Sequence, residues 1–205
     1  LDIDQFASVI LNASNNVRLQ DSGGIAIQGD LTVSAPTITA AQRAAQTISA
    51  TGTVNLQAVA GATPAPASGL GASLTISGAS VTDNIDILLP SGALTLHATT
   101  GDVTVGNLSG TNIDVGGTAQ TFFDLVRYTS GGQVNLVADQ GSVTVDTNAT
   151  INVRAQAGGG NAGMLSVSAP NGSFVIDNGA TLNGAGGTNG RNGTFILDVG
   201  SLPAL

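Results

Sequence analysis

The amino-acid sequence contains no cysteine, tryptophan, lysine or glutamate, and only six of its residues are aromatic. The lack of cysteine excludes disulfides and thiol chemistry. All five basic residues are Arg and all 13 acidic residues are Asp, which gives a net charge of -8. An acidic, lysine-free surface repels phosphate backbones, so no nucleic-acid partner is expected. No apolar run reaches the length of a membrane span, so no membrane-spanning helix is expected.

The residues that are abundant favour strands and turns. Glycine occurs 29 times, hydrophobic residues make up 41% of the chain, and charged residues make up only 9%. Much of the apolar content is Val, Leu, Ile and Ala, accompanied by many Thr, Ser and Asn residues. Branched side chains favour strands and small polar ones favour turns, so the composition predicts an all-β protein.

A 14-residue frame recurs along the chain. GALTLHATTGDVTV at 92–105 returns as GQVNLVADQGSVTV at 132–145 and as GMLSVSAPNGSFVI at 163–176. Each copy has an alternating strand, an Ala, a second Gly and another alternating strand. Aligning on the first strand predicts seven equivalent starts: VILNA at 9–13, LTVSA at 31–35, VNLQA at 54–58, LTLHA at 94–98, VNLVA at 134–138, LSVSA at 165–169 and FILDV at 195–199.

Two further short strands follow each start, so every repeat makes one three-strand coil. A single coil buries too few apolar side chains to offset its backbone entropy, so the coils must stack in parallel about 4.8 Å apart. Parallel connections are nearly always right-handed. The sequence therefore predicts a right-handed parallel β-helix of about seven rungs, forming one segment over residues 1–205. Loop insertions are expected near 60–72 and 117–131, and AAQRAAQ at 40–46 is a candidate helical turn.

The Gly, the V/L-x-L-x-A strand and the following V-x-V strand resemble the repeats of filamentous haemagglutinin-like exoproteins, the passengers of bacterial two-partner secretion. The resemblance covers about residues 9–199 and also implies a right-handed parallel β-helix. Family members carry NPNL- and NPNGI-type motifs near the mature N-terminus, whereas this chain has only APNG at 169–172. The chain is therefore expected to lie in the body or a later part of a longer exoprotein. Its first residues also lack the basic region of a signal peptide.

The same resemblance implies a function and a location. It implies a cell-adhesion rod, secreted to the Gram-negative cell surface through an outer-membrane pore and acting in virulence. Its expected partner is a glycan or protein on a host or neighbouring cell. The alternatives are a polysaccharide-active β-helix enzyme and a stalk that carries a distal toxin domain in contact-dependent inhibition. The rod is preferred because no catalytic cluster is visible in the regular frames, so the chain is not expected to be an enzyme.

Possible catalytic and metal-binding residues are few. His97 is the only His, in a column expected to face solvent, so no metal site or cofactor is predicted. Glycan-active enzymes need grouped carboxylates. The candidates are Asp83, Asp86, Asp102, Asp114 and Asp146. Asp86 and Asp114 align in the third-strand column and are predicted to stack on adjacent rungs, which makes them the best enzymatic lead.

The segment TFFDLVRYT at 121–129 holds half of the aromatic residues. Phe122, Phe123, Arg127 and Tyr128 are the candidate binding residues, because aromatic and arginine side chains are enriched at binding contacts. The alternative is that they cover the flank of the coil. Alternation then places Phe122, Val126 and Tyr128 on one face.

Overall fold

The protein is a stack of parallel β-strands wound into a helix, as seen in a computed structural model that describes residues 1–63, 65–67, 69–106 and 111–202. Within these residues every regular element is a β-strand. Successive strands fall on three faces, here named A, B and C, and each strand pairs in parallel with strands of neighbouring turns. The predicted all-β parallel β-helix is confirmed.

The strands are numbered in chain order. Face A contains β1 (Asp2–Ile3), β4 (Ser22–Ile27), β7 (Ala45–Ala50), β9 (Ser73–Gly78), β12 (Ala93–Ala98), β17 (Gln133–Ala138), the first half of β20 (Met164–Ile176) and β22 (Thr194–Ser201). Face B contains β2 (Ser8–Asn12), β5 (Asp30–Ser34), β8 (Val54–Gln57), β10 (Val81–Asn84), β13 (Val103–Val105), β18 (Val143–Val145) and the second half of β20. Face C contains β3 (Val17–Leu19), β6 (Thr37–Ala40), β11 (Asp86–Leu88), β14 (Asn112–Asp114), β19 (Thr150–Asn152) and β21 (Thr181–Asn183). An antiparallel hairpin, β15 (Ala119–Phe122) and β16 (Leu125–Tyr128), stands apart from the three faces.

The core lies inside the coil and consists of columns of like residues. Alternate side chains of each strand point inward, so parallel pairing places each inward residue directly on its equivalent. On face A, for example, Leu96 lies between Ile76 and Leu136, and all three are fully buried. At the carboxyl-terminal end the rings of Phe174 and Phe195 contact each other with centroids 5.9 Å apart.

The predicted equivalence of the seven starts is wrong for the first three. VILNA, LTVSA and VNLQA lie in β2, β5 and β8 on face B, whereas the later four lie on face A. Thus Val54 is in register with Val81, and β10 continues to VTV at 103–105. Both faces use the same apolar alternation followed by a small residue, so the local pattern does not distinguish them.

One turn of the coil has no strand on face C among the described residues. β6 pairs directly with β11, although four strands, β7 to β10, lie between them in sequence and supply faces A and B twice. The described part of 58–72 instead forms an irregular loop, in which the Leu70 carbonyl accepts a hydrogen bond from the Arg43 amide at 3.0 Å. Residues 41–44 form a tight turn with Arg43 at φ 57°, so the helical turn considered for 40–46 is absent.

Glycines form a ladder where the chain enters face A. A methyl group on Gly132 would overlap the Gly92 carbonyl oxygen, and one on Gly163 would overlap that of Gly132. Backbones therefore approach too closely at this corner for any side chain. This close approach of the backbones explains why Gly recurs at this position of the frame.

Candidate binding site on the hairpin

The second predicted insertion folds as the hairpin β15–β16, named here the aromatic hairpin (residues 119–128). Phe122 pairs with Leu125, so Phe123 and Asp124 form a two-residue turn. Such a short connection fixes the strand register. The hairpin projects from the coil between β14 on face C and β17 on face A.

Hydrogen bonds close the base of the hairpin and join it to the coil. The Thr129 amide donates to the Thr118 carbonyl at 2.9 Å, and the Thr118 amide donates to the Thr129 hydroxyl at 2.8 Å. The Thr129 and Ser91 hydroxyls lie 2.6 Å apart, which joins the base to the turn before β12. The Gln156 side-chain amide donates to the Gly117 carbonyl at 2.8 Å. These contacts hold the base of the hairpin on the coil.

The two faces of the hairpin carry different side chains, and the prediction that Phe122, Val126 and Tyr128 share one face is wrong. Directly paired residues of an antiparallel hairpin point to the same side. Phe122 therefore lies with Leu125, and the Gln120–Arg127 pair lies on that same face. Tyr128 and Val126 point to the opposite face. The two-residue turn shifts the alternation between the strands, which counting straight through the sequence does not detect.

Tyr128 packs against the coil. Methyl groups placed on Gly158 or Gly159 would overlap its ring, so the ring lies directly on the backbone of that glycine turn. For Tyr128, the expectation of flank coverage therefore describes the structure better than a free binding residue does. Arg127 is exposed and forms no ion pair with another described residue.

Phe123 stands at the tip with its side chain fully exposed, at 102% relative accessibility. Its φ is 56°, in the left-handed region that is costly for a bulky residue, by about 1 to 3 kcal/mol. The neighbouring Phe122 is 59% exposed. Two adjacent exposed phenylalanines, one of them in a strained conformation, are unfavourable for the isolated chain.

A groove of about 440 Å³ separates the aromatic hairpin from the described part of the loop 58–72, and it is named here the side groove. Gln120 and Phe122 of the first hairpin strand, together with Thr118 just before it, form one wall. Gln42, Leu70 and Pro90 lie among the residues of the other walls. The groove thus combines apolar surface with two amide side chains, a composition typical of ligand pockets.

The predicted stacking of Asp86 on Asp114 is wrong. Ile87 is in register with Ile113, so Asp86 lies opposite Asn112 and Asp114 lies opposite Leu88. The Asp86 carboxylate accepts a hydrogen bond from the Asn112 amide at 3.0 Å, and the Asp114 carboxylate accepts one from the Gly116 amide at 2.7 Å. Burial raises the pKa of Asp86, while the Asn112 hydrogen bond opposes that rise. Both carboxylates therefore accept hydrogen bonds from backbone amides. The sequence alignment of these two strands was two residues out of register.

The remaining candidate carboxylates have different environments. Asp102 accepts the Ser142 amide at 2.7 Å, as Asp30 accepts the Thr53 amide at the same distance. Asp146 and Asp177 follow Val145 and Ile176, which are in register on face B, so the two carboxyl groups are neighbours in the stack. Burial, followed by the neighbouring Asp177 carboxyl group and its charge, raises the pKa of Asp146. Sequence reasoning missed this pair, although VTVD at 143–146 and FVID at 174–177 place both residues at one position of the frame.

Asp83 is fully buried in the core. It occupies an inward position of face B between Leu56 and Val105. One carboxyl oxygen accepts the Ile85 amide at 3.2 Å, and the other has no hydrogen-bond partner. Burial raises the pKa of Asp83 to about 8, opposed by the Ile85 hydrogen bond and helped slightly by the charge of Asp86. The side chain is inaccessible to a polymeric substrate.

His97 lies on the outer side of face A, as predicted, and its Nε2 lies 3.0 Å from the Asp139 carboxylate on the next turn. Both side chains are substantially exposed, so the contact contributes at most about 1 kcal/mol. No group of three or more His, Cys, Asp or Glu residues converges in the part of the chain that the structure describes. The described residues also contain no helix long and apolar enough to cross a membrane.

Comparison with known proteins adds no relative. The chain matches no protein-family model, no curated protein and no solved structure.

Proposed function

We propose that this chain is a structural and adhesive segment of a large secreted bacterial surface protein. The β-helix supplies a rigid rod, and the aromatic hairpin contacts a glycan or protein on a host or neighbouring cell. The resemblance of the repeats to filamentous haemagglutinin-like exoproteins supports this proposal, including secretion through an outer-membrane pore to the Gram-negative surface. The stacked coil gives the rod its stiffness, because every strand pairs with its neighbours along the axis.

The observation that carries the adhesive role is the pair Phe122 and Phe123. Phe123 is fully exposed and conformationally strained, and Phe122 is mostly exposed. Large exposed aromatic side chains are typical of interaction sites, and strained residues concentrate at functional positions. The rest of the hairpin anchors this pair, since Tyr128 and Thr129 fix it to the coil.

The test is a bead-adhesion assay on cultured epithelial cells and on Gram-negative bacterial cells. Beads carrying wild-type protein should adhere to one of these surfaces, and the double variant Phe122→Ser, Phe123→Ser should lose at least 80% of the bound beads. Phe6→Ser is the matched control, because Phe6 is also an exposed phenylalanine but lies near the amino-terminal end of the coil. Equal adhesion by the double variant, or none by the wild type, would refute the role of the hairpin.

A polysaccharide-active enzyme is the second candidate, and the neighbouring carboxyl groups of Asp146 and Asp177 are the observation that favours it. A carboxyl group with a raised pKa next to a second carboxylate is suited to acid–base chemistry. The check is release of reducing ends from a panel of polysaccharides. Activity that Asp146→Asn abolishes, and that Asp198→Asn leaves intact, would establish the enzyme. No release by the wild type would exclude it for that panel.

A further inference from the structure

The side groove has a composition that selects a class of ligand. None of the described residues that line it is charged, although the chain carries 13 acidic and five basic residues. A ligand bearing phosphate, sulfate or carboxylate would meet no charge partner among these lining residues, and desolvating its charge would be costly. Arg127 lies on the same hairpin face as Gln120 but outside the groove lining. The groove is therefore suited to a neutral molecule.

The polar groups of the groove are suited to hydroxyl groups. Gln42 and Gln120 supply amides, each of which both donates and accepts hydrogen bonds, and Thr118 lies beside Gln120. Phe122 offers an exposed ring on the same wall as Gln120. A pyranose ring has both matching parts, since its C–H face packs on an aromatic ring and its hydroxyls pair with amides.

The wall geometry also distinguishes a saccharide from an extended peptide. Peptides that add to a sheet use the backbone groups of an open strand edge. Here the hairpin presents a face, because Thr118, Gln120 and Phe122 are alternate residues whose side chains form the wall. Side-chain contacts of this kind do not require a strand-forming ligand.

The groove is not isolated. A second, shallow trough of about 540 Å³ follows the glycine ladder through Gly92, Gly132 and Gly163, and it too is lined by uncharged residues in the part of the chain that the structure describes. The side groove and the trough adjoin, because Leu70 and Pro90 line the groove and the residues that follow them, Gly71 and Ser91, line the trough.

We propose that the side groove binds a neutral oligosaccharide chain, with one sugar ring against Phe122 and its hydroxyls on Gln120 and Gln42. This inference rests on the proposed adhesive function and names the class of ligand. Binding is non-covalent and requires no metal or cofactor.

The test is direct titration of the 205-residue protein with hexasaccharides. The neutral probes are hexamers of β-1,4-glucose, β-1,4-N-acetylglucosamine and α-1,6-mannose, and the acidic probe is hexagalacturonate. At least one neutral hexamer should bind with a Kd below 1 mM, whereas the acidic probe should not. Phe122→Ala and Gln120→Ala should each weaken binding at least tenfold.

The matched controls are Phe6→Ala and Gln57→Ala, which remove an exposed phenylalanine and an exposed glutamine that lie outside the groove. Both should bind within twofold of wild type. The inference fails if no neutral hexamer binds, if Phe122→Ala and Gln120→Ala bind as wild type does, or if only the acidic probe binds and Arg127→Ala abolishes that binding. If no neutral hexamer binds but bead adhesion still depends on the hairpin, the saccharide inference alone is refuted. If a neutral hexamer binds but bead adhesion does not depend on the hairpin, the adhesive role of the hairpin alone is refuted.

Discussion

Replacing the buried carboxyl group of Asp83 should make the protein more stable at alkaline pH. Asp83 lies between Leu56 and Val105, and burial raises its pKa from 3.8 to about 8. A raised pKa means that the folded state binds the proton more tightly than the unfolded state does. The unfolding free energy that this difference contributes is therefore fully present below about pH 4 and is lost as the pH rises to about 8.

The magnitude follows from the size of the shift. Each unit between the folded and unfolded pKa corresponds to about 1.4 kcal/mol, so the full loss is on the order of 5 to 6 kcal/mol. Between pH 5 and pH 8.5 the wild type should lose about 4 kcal/mol of unfolding free energy through this group. Domain stabilities are about 5 to 15 kcal/mol, so the change is large enough to measure.

The assay is urea unfolding of wild type and Asp83→Asn at pH 5, 7 and 8.5. The amide is a neutral analogue of the protonated acid, so the variant should lack this part of the pH dependence and exceed wild type by several kcal/mol at pH 8.5. Asp198→Asn is the control, because Asp198 is exposed and its removal changes net charge equally. Parallel pH profiles for wild type and Asp83→Asn would refute a buried, protonated Asp83.

Three further outcomes follow from the packing. Gly132→Ala should lower the urea midpoint strongly, because the added methyl group overlaps the Gly92 carbonyl oxygen, whereas Gly23→Ala should change it little because its nearest non-neighbour atom is 3.5 Å away. An unchanged midpoint for Gly132→Ala would contradict the glycine ladder. Leu96→Ala should cost about 2 to 5 kcal/mol in the same assay, since Leu96 is fully buried, and a loss below 1 kcal/mol would argue against that packing. Tyr128→Ala should speed amide hydrogen exchange in residues 119–128 because the ring leaves Gly158 and Gly159, whereas Phe123→Ala should not; equal exchange in both variants would show that Tyr128 does not anchor the hairpin.

The sequence was sufficient to predict the fold class because the signal is repeated. Alternating apolar residues and recurring glycines predict stacked strands, and the columns around Leu96 confirm them. The assignment of strands to faces failed because face A and face B share one pattern. One turn has no face C strand among its described residues, and this removed the regular spacing that would otherwise have fixed the order.

The site was harder to predict because its geometry depends on turns and on distant segments. A two-residue turn at Phe123 and Asp124 decides that Phe122 faces the side groove and Tyr128 faces the coil. The groove itself joins Gln42, Leu70 and Gln120, which are far apart in sequence. The environment of Asp83 was hard to predict for the same reason. A single Asp in an alternating strand does not reveal that its neighbours in the stack are Leu56 and Val105.

The central claim is that the aromatic hairpin is the surface through which the rod adheres, and competition tests it most directly. Soluble wild-type protein and soluble Phe6→Ser should displace wild-type beads from cells in a saturable, dose-dependent manner. The soluble double variant Phe122→Ser, Phe123→Ser should not displace them at tenfold higher concentration. Displacement by the double variant as effective as by wild type would contradict the claim.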